Sequence, residues 1–123
     1  MALPNYEESA DGYEKQFATN HLGHFFLTSL LLPRLGDGSR IITLSSVAHK
    51  LAPADIDPSR LPLTEATYGT PNVIGLHVPL PIGNGLPAYG ISKAANILFS
   101  LELRKRLTGP IDHSLAFAST RQC

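Results

Sequence analysis

A stretch between residues 50 and 87 constrains the fold of this chain most, because its composition suits neither a helix nor a long strand. It holds seven of the ten prolines and four glycines: Pro53, Pro58, Pro62, Pro71, Pro79, Pro81, Pro87, Gly69, Gly75, Gly83 and Gly85. Loops longer than about 15 residues are usually functional lids or disordered segments, and the sequence leaves both open. The regular structure is therefore predicted on either side of this Pro/Gly-rich loop.

Two long helices are predicted, one before the loop and one after it. The first covers residues 12–35, follows the capping sequence SADG at residues 9–12, and has apolar residues on more than one face. The second covers residues 88–107 and ends in three cations at residues 104–106, followed by a Gly-Pro pair. Its apolar residues recur at helical spacing: Ile91, Ala94, Ala95, Leu98, Leu101 and Leu103.

One buried strand is predicted between the helices, at residues 39–46. Its nearly continuous apolar run favours a parallel sheet covered on both faces. The tail, residues 111–123, is predicted to be irregular, with at best a weak strand at residues 115–118. A chain of 123 residues suits a single domain, so we expect one α/β domain dominated by its two long helices.

Composition excludes several classes of function. Ten Lys plus Arg balance ten Asp plus Glu, so no overall positive field would collect nucleic-acid phosphates. No apolar run reaches the roughly 20 residues of a membrane span. The single cysteine, Cys123, cannot form an internal disulfide, and the N-terminal residues do not resemble a secretion signal. These features predict a cytoplasmic protein that binds neither nucleic acid nor a membrane through a span.

Tyr89 and Lys93 form the most informative pair of polar residues. Residues four apart share one face of a helix, so the spacing brings the phenol and the ammonium together. A cation beside a phenol stabilises the phenolate, which makes tyrosine a usable acid or base near neutrality. The same spacing also occurs as a solvated surface pair, so it does not establish catalysis by itself.

Two further residues are candidates by position. Ser46 ends the predicted strand, and ligands of open parallel sheets bind at the carboxyl ends of strands, although a serine there is also a common turn residue. Asn20 lies inside the first helix with Gly23 three residues later, and both are poor helix formers, so a kink is predicted. Asn20 either faces solvent or offers a carbonyl or side chain to a site water.

A metal site is the least supported alternative. His21 and His24 lie three apart on the first helix and could share a metal ion, but no third ligand has an ordered spacing to them. The sequence therefore predicts no metal ligand.

Three ordered segments resemble the short-chain dehydrogenase/reductase family, most closely its retinol-dehydrogenase-like branch. They are residues 17–25 (FATNHLGHF), residues 39–49 (SRIITLSSVAH) and residues 89–99 (YGISKAANILF). The resemblance covers about residues 1–107, interrupted by the Pro/Gly-rich loop. It implies part of a doubly wound, Rossmann-type parallel sheet and an oxidoreductase that interconverts a carbonyl and an alcohol with NADP or NAD.

The resemblance also implies a role for each candidate residue. Tyr89 would be the general acid/base, and Lys93 would assist Tyr89 and hold the nicotinamide ribose, so both would bind the cofactor. Ser46 would hold the substrate oxygen, and Asn20 would anchor a proton-relay water. The two long helices would pair with those of a second subunit, which predicts a homodimer or association with a relative.

This sequence departs from the family pattern at both ends. It lacks the glycine-rich βαβ unit that holds the cofactor pyrophosphate and the family's turn after the sixth strand, and its gap between Ser46 and Tyr89 is longer than usual. We therefore expect a truncated catalytic half that binds NAD(P) poorly and is inactive by itself. The alternative is a non-catalytic fragment that acts through helix-mediated association. The substrate and the choice between NAD and NADP are left open.

Overall fold

The computed structural model describes residues 5–52 and 85–107 with their side chains, and the backbone of residues 112–118. Most of the predicted Pro/Gly-rich loop lies outside the described residues. The elements, in chain order, are α1 (Lys15–Phe17), a π-helical stretch (Ala18–Leu22), α2 (Gly23–Leu31), a 3-10 turn (Leu32–Arg34), β1 (Arg40–Ser46), a second 3-10 turn (Val47–Leu51), α3 (Leu86–Arg106) and β2 (Asp112–Ala118).

The first helical segment begins later than predicted and has a different cap. Glu14, which is fully buried, accepts hydrogen bonds from the backbone N–H groups of Gln16 and Phe17 at 2.9 and 2.7 Å. The predicted capping residues form a turn instead, in which Ser9 bonds to the backbone of Tyr13 and Gly12 has φ +78°. The carboxylate of Glu14 is therefore the N-cap, because it satisfies the free N–H groups of the first helical turn.

β1 pairs with β2 in a parallel two-stranded sheet. The register runs from Arg40 opposite Asp112 to Ser46 opposite Ala118. This strand corrects the prediction of an irregular tail, since seven residues of that tail form regular structure. The local pattern of the tail is weak, and the strand is stabilised by pairing with a segment about 70 positions earlier in the chain, as the register shows.

α3 buries a more polar face than its apolar spacing predicts. Its buried residues include Ser92, Asn96 and Ser100, which are spaced four apart on one side of the helix. Leu98 and Leu101, two of the apolar residues at helical spacing, are 55% and 50% exposed. Two of these residues bond to the neighbouring elements: Ser92 accepts from the Asn20 side chain of the π-helical stretch, and Asn96 donates to the backbone oxygens of Asn20 and of Leu44 in β1.

The part of the chain that the structure describes contains no helix with the length and hydropathy needed to cross a bilayer.

A broad apolar surface is exposed on α2, β1 and α3, and from it we expect the chain to associate. Phe26 is 64% exposed and Ile42 is 61% exposed, and other large apolar residues of the same elements are also more than half exposed. Contiguous exposed apolar patches of this kind mark interfaces or aggregation surfaces. Light scattering at about 100 μM, far above the dissociation constant of a micromolar dimer, should show species heavier than the 13.3 kDa monomer.

The Phe26→Glu variant should shift this association towards monomer, because it places a charge in the exposed patch. Ser29→Glu is the matched control, since Ser29 is an exposed residue of the same helix and is not apolar. A monodisperse monomer of the unmodified chain would contradict the expectation.

Candidate functional site

The Tyr89 and Lys93 side chains come together on α3. The Lys93 ammonium lies 5.6 Å from the centroid of the Tyr89 ring, and both residues are partly buried. The nitrogen also lies 3.5 Å from the backbone oxygen of Leu44 in β1, which is a long hydrogen bond. The cation is therefore placed beside the phenol and is only loosely held by the strand.

The carboxyl end of β1 is attached to α3 through Ser45. The fully buried Ser45 hydroxyl donates a 2.8 Å hydrogen bond to the backbone oxygen of Lys93. Ser46, the predicted substrate-binding residue, caps the following 3-10 turn, where its hydroxyl accepts from the Ala48 N–H at 3.3 Å. Among the described residues, no hydrogen bond joins Ser46 to Tyr89. Ser46 thus lies next to a residue that contacts the Lys93 backbone, with its hydroxyl facing the turn.

Gly90 allows the 3-10 turn after β1 to pack directly against α3. A Cβ atom at this position would lie 2.7 Å from the Ala48 backbone oxygen and 3.2 Å from Cβ of Leu51. No side chain larger than hydrogen fits there without movement of the backbone. Since Gly90 follows Tyr89 directly, this close approach sets the distance between the turn that follows Ser46 and the helix that carries Tyr89.

Asn20 lies in the π-helical stretch, at the place where the sequence predicts a kink. Its side-chain amide donates to the Ser92 hydroxyl at 3.1 Å, and that hydroxyl donates to the backbone oxygen of Tyr89 at 2.7 Å. Asn20 and Ser92 are both buried. A π-helical stretch changes the direction of backbone groups within a helix and is frequent at functional sites. Here it brings Asn20 against the turn of α3 that carries Tyr89 and Lys93.

Asn96 and His21 complete this network, although the sequence motifs predict a role in it for neither residue. The Asn96 amide nitrogen donates to the backbone oxygens of Asn20 at 3.0 Å and Leu44 at 2.9 Å. Its side-chain oxygen lies 2.9 Å from Nδ1 of His21. One signal could have revealed Asn96: a poor helix former inside a long helix, spaced four residues from Ser92 and three from Lys93.

A cavity of about 360 Å³ lies between α2, β1 and α3. Its walls combine polar residues, among them Asn20, Lys93 and Asn96, with apolar residues such as Leu27 and Phe99. Neither Tyr89 nor Ser46 lines it. The cavity therefore lies on the Lys93 and Asn20 side of the site.

The pKa of His21 is lowered, first because burial disfavours the charged imidazolium. The hydrogen bond to Asn96 acts in the opposite direction, and the nearby His24 lowers the pKa further. The ring of His21 lies in an aromatic group, with centroid distances of 5.1 Å to Phe17, 6.1 Å to Phe25 and 6.2 Å to Phe99. His21 is thus predominantly neutral above its ordinary pKa of 6.5.

We expect acidification to destabilise the fold through His21. Because the pKa of His21 is lower in the folded chain, the unfolded chain takes up the proton first as the pH falls. The contribution of His21 to the free energy of unfolding is therefore fully present above pH 6.5 and is lost as the pH falls through the lowered pKa. Thermal unfolding should show a lower Tm at about pH 5.5 than at about pH 7.5. The His21→Gln variant should reduce that difference, whereas His24→Gln, at an exposed position, should preserve most of it. An equal pH dependence in the parent and His21→Gln would contradict this assignment.

In the described ranges, no group of three His, Cys, Asp or Glu side chains lies close enough to hold a metal ion. His21 directs Nδ1 to Asn96, and the alternative of a site shared with His24 gains no third ligand from those residues.

Comparisons with known proteins identify relatives of this chain. Retinol dehydrogenase 12 of Bos taurus is 40% identical over 111 residues, which are 89% of this chain and 29% of the relative. Retinol dehydrogenase 13 of Homo sapiens is 43% identical over 111 residues, or 89% of this chain and 28% of the relative. Retinol dehydrogenase 11 of Mus musculus is 42% identical over 106 residues, which are 85% of this chain and 28% of the relative. No family model matches the chain.

A crystal structure of an uncharacterized protein from Mycobacterium paratuberculosis has a similar fold. It superposes with a TM-score of 0.72 at 38% sequence identity, over all of this chain and 40% of that protein. This likeness confirms the mixed helix and strand architecture. The chain spans less than a third of the length of the retinol dehydrogenases that it matches.

Proposed function

We infer the function of this chain from the family to which it belongs, the short-chain dehydrogenases/reductases, in the branch of the retinol dehydrogenases. We propose that it is the catalytic segment of an NADP- or NAD-dependent oxidoreductase that interconverts an alcohol and a carbonyl. The observation that carries the proposal is the Lys93 ammonium 5.6 Å from the centre of the Tyr89 ring. A phenol beside a cation is suited to general acid–base catalysis.

Tyr89 moves the proton in this proposal. During reduction the Tyr89 hydroxyl gives its proton to the carbonyl oxygen of the substrate, and during oxidation the phenolate takes the proton of the alcohol. The positive charge of Lys93 stabilises the phenolate in both directions, because the two side chains share one face of α3. Ser92, which bonds to the Tyr89 backbone oxygen, holds this turn of the helix in place.

Ser46 and Asn20 have supporting roles in the same proposal. The Ser46 hydroxyl accepts from the Ala48 N–H at 3.3 Å and would donate its own proton to the substrate oxygen. Asn20 would hold a water that returns protons to Lys93, since Asn20 and Lys93 line the same cavity. The cavity supplies the space for such a water.

Tyr89 and Lys93 fit the nicotinamide-ribose end of the cofactor. Within the described residues, the only hydrogen bond of the Lys93 ammonium is the one to Leu44 at 3.5 Å, so its other N–H groups are available to ribose hydroxyls. The nicotinamide group, when bound, supplies hydride transfer to and from the substrate carbon. We also propose that a doubly wound Rossmann-type sheet completes the cofactor site. The cofactor in this proposal is either NADP or NAD.

The substrate is proposed as a small alcohol or its carbonyl counterpart, and retinol is the first to test because the relatives carry its name. The cytoplasmic location predicted from the sequence stays a prediction.

A second proposed function is association through the two helical segments, with a second copy or a longer relative. The exposed apolar residues of α2 and α3 favour it, including Phe25, Leu30 and Leu101. In this alternative the chain binds a partner without performing chemistry.

A segment exchange separates the two functions. The matching segment of human retinol dehydrogenase 13 is replaced by this chain, and NADPH-dependent reduction of retinal is measured in the hybrid. We expect turnover from the hybrid, whereas the 123-residue chain alone should show none and should bind NADPH with a Kd above about 10 μM, weaker than about −7 kcal/mol. A hybrid that binds NADPH but has no turnover would contradict the catalytic proposal and favour association.

A further inference from the structure

We propose that Asn96 is a positioning residue of the Tyr89–Lys93 site, which keeps the Lys93 ammonium beside Tyr89 by occupying the competing acceptor on β1. The inference rests on the proposed function, because it assigns Asn96 a role in that same site. Asn96 is 4% exposed and is one turn of α3 beyond Lys93. It joins three elements of the fold: α3, β1 and the π-helical stretch.

The bonding partners determine the orientation of the Asn96 amide. Backbone oxygens accept and cannot donate, so the amide nitrogen must face Asn20 and Leu44, at 3.0 and 2.9 Å. The side-chain oxygen then faces His21, whose Nδ1 must carry a proton to donate across 2.9 Å. The nitrogen and the oxygen of the amide thus bond to three different residues.

Leu44 is the link between Asn96 and Lys93. Its backbone oxygen accepts from Asn96 at 2.9 Å and from the Lys93 ammonium at 3.5 Å. Asn96 makes the short bond to this oxygen and Lys93 the long one, so Lys93 is only weakly attached to the strand. Without the Asn96 amide, the Leu44 oxygen would need another donor, and the Lys93 ammonium is already within reach. Lys93 would then move towards β1 and away from the Tyr89 ring.

Asn96 holds Asn20 by the same amide. The Asn20 backbone oxygen belongs to the π-helical stretch, and its bond to Asn96 attaches that stretch to α3. Another attachment is the Asn20 side chain on Ser92. Loss of Asn96 would therefore loosen one connection between Asn20 and the catalytic turn of α3, in addition to releasing Lys93.

The test uses Asn96→Ala, with Ser100→Ala as the matched control. Ser100 is a buried polar residue of the same face of α3, one turn further from the site. In the hybrid enzyme, Asn96→Ala should lower kcat about tenfold or more, because the cation is no longer held beside the phenol. The KM for retinal should change less than about twofold. Ser100→Ala should leave both kcat and KM unchanged.

A second measurement does not depend on activity. In the 123-residue chain, a nuclear Overhauser effect between the Lys93 ε-methylene and the Tyr89 ring should be present in the parent and in Ser100→Ala, and should weaken in Asn96→Ala. Should the alanine variant unfold, Asn96→Asp keeps the side-chain volume and the bond to His21 but removes both donors, and should weaken the same signal. A folded Asn96→Ala or Asn96→Asp chain with an undiminished signal overturns the inference. An inactive parent hybrid, combined with a weaker Lys93–Tyr89 signal in the variants, contradicts only the catalytic proposal.

Discussion

Replacing Tyr89 by phenylalanine in the hybrid enzyme is expected to lower kcat by about 10²- to 10⁴-fold, the usual contribution of a general acid/base. The substitution removes only the hydroxyl that exchanges the proton. The ring stays, so the contact with the Lys93 ammonium at 5.6 Å from its centroid is preserved. Steady-state kinetics of retinal reduction and fluorescence titration with NADPH measure the two quantities separately. Cofactor affinity should stay within about threefold of the parent, because the ring at position 89 and the Lys93 ammonium both remain in place.

Tyr13→Phe is the matched control for this experiment. Tyr13 precedes the first helix, is 42% exposed and lies outside the site. It should retain full turnover. If the Tyr89→Phe hybrid keeps half of the parent rate, Tyr89 is not the acid/base and the assignment of all four residues is wrong.

Replacing Gly90 by alanine is expected to destabilise the fold by about 1 to 3 kcal/mol, the range for overpacking a closely packed interior. In an open helix this change would stabilise by roughly 0.5 to 1 kcal/mol, because glycine loses more conformational freedom on folding. Here the added Cβ would lie 2.7 Å from the Ala48 oxygen and 3.3 Å from the Ala52 nitrogen, both backbone atoms that cannot rotate away. The turn must move as a unit, so the sign of the effect is reversed.

Thermal unfolding followed by circular dichroism measures this effect, with an expected fall in Tm on the order of 5 to 10 °C. Gly36→Ala is the control, since nothing lies within 4 Å of its added Cβ and its φ is not positive. Unchanged stability in Gly90→Ala would show that the turn after β1 does not pack against α3 in solution.

The family and the mixed helix and strand architecture could be predicted from the sequence because both depend on local patterns. The three motif segments predicted the resemblance, which relatives about 40% identical confirm. The Tyr89 and Lys93 spacing predicted a shared helix face, and the structure places their side chains together. The kink near Asn20 followed from two poor helix formers, and the π-helical stretch lies there.

The remaining features depend on partners distant in sequence. β2 is a strand because it pairs with β1, although its local pattern is weak. Glu14 caps the first helix because the predicted capping residues are used in a turn. Leu98 and Leu101 are exposed because α3 turns its polar stripe inward, and the hydropathy of a helix does not show which face its neighbours satisfy.

The candidate residues for chemistry and the helical segments could be predicted because they depend on residue type and on spacing within a few turns. Three contacts depend on how distant elements pack: the Asn96 amide shares the Leu44 oxygen with Lys93, Asn20 bonds to Ser92, and Gly90 lies against a turn some 40 positions earlier in the chain. Hydrogen bonds and close contacts are made in three dimensions, and a linear pattern specifies the donors and acceptors but not which of them meet.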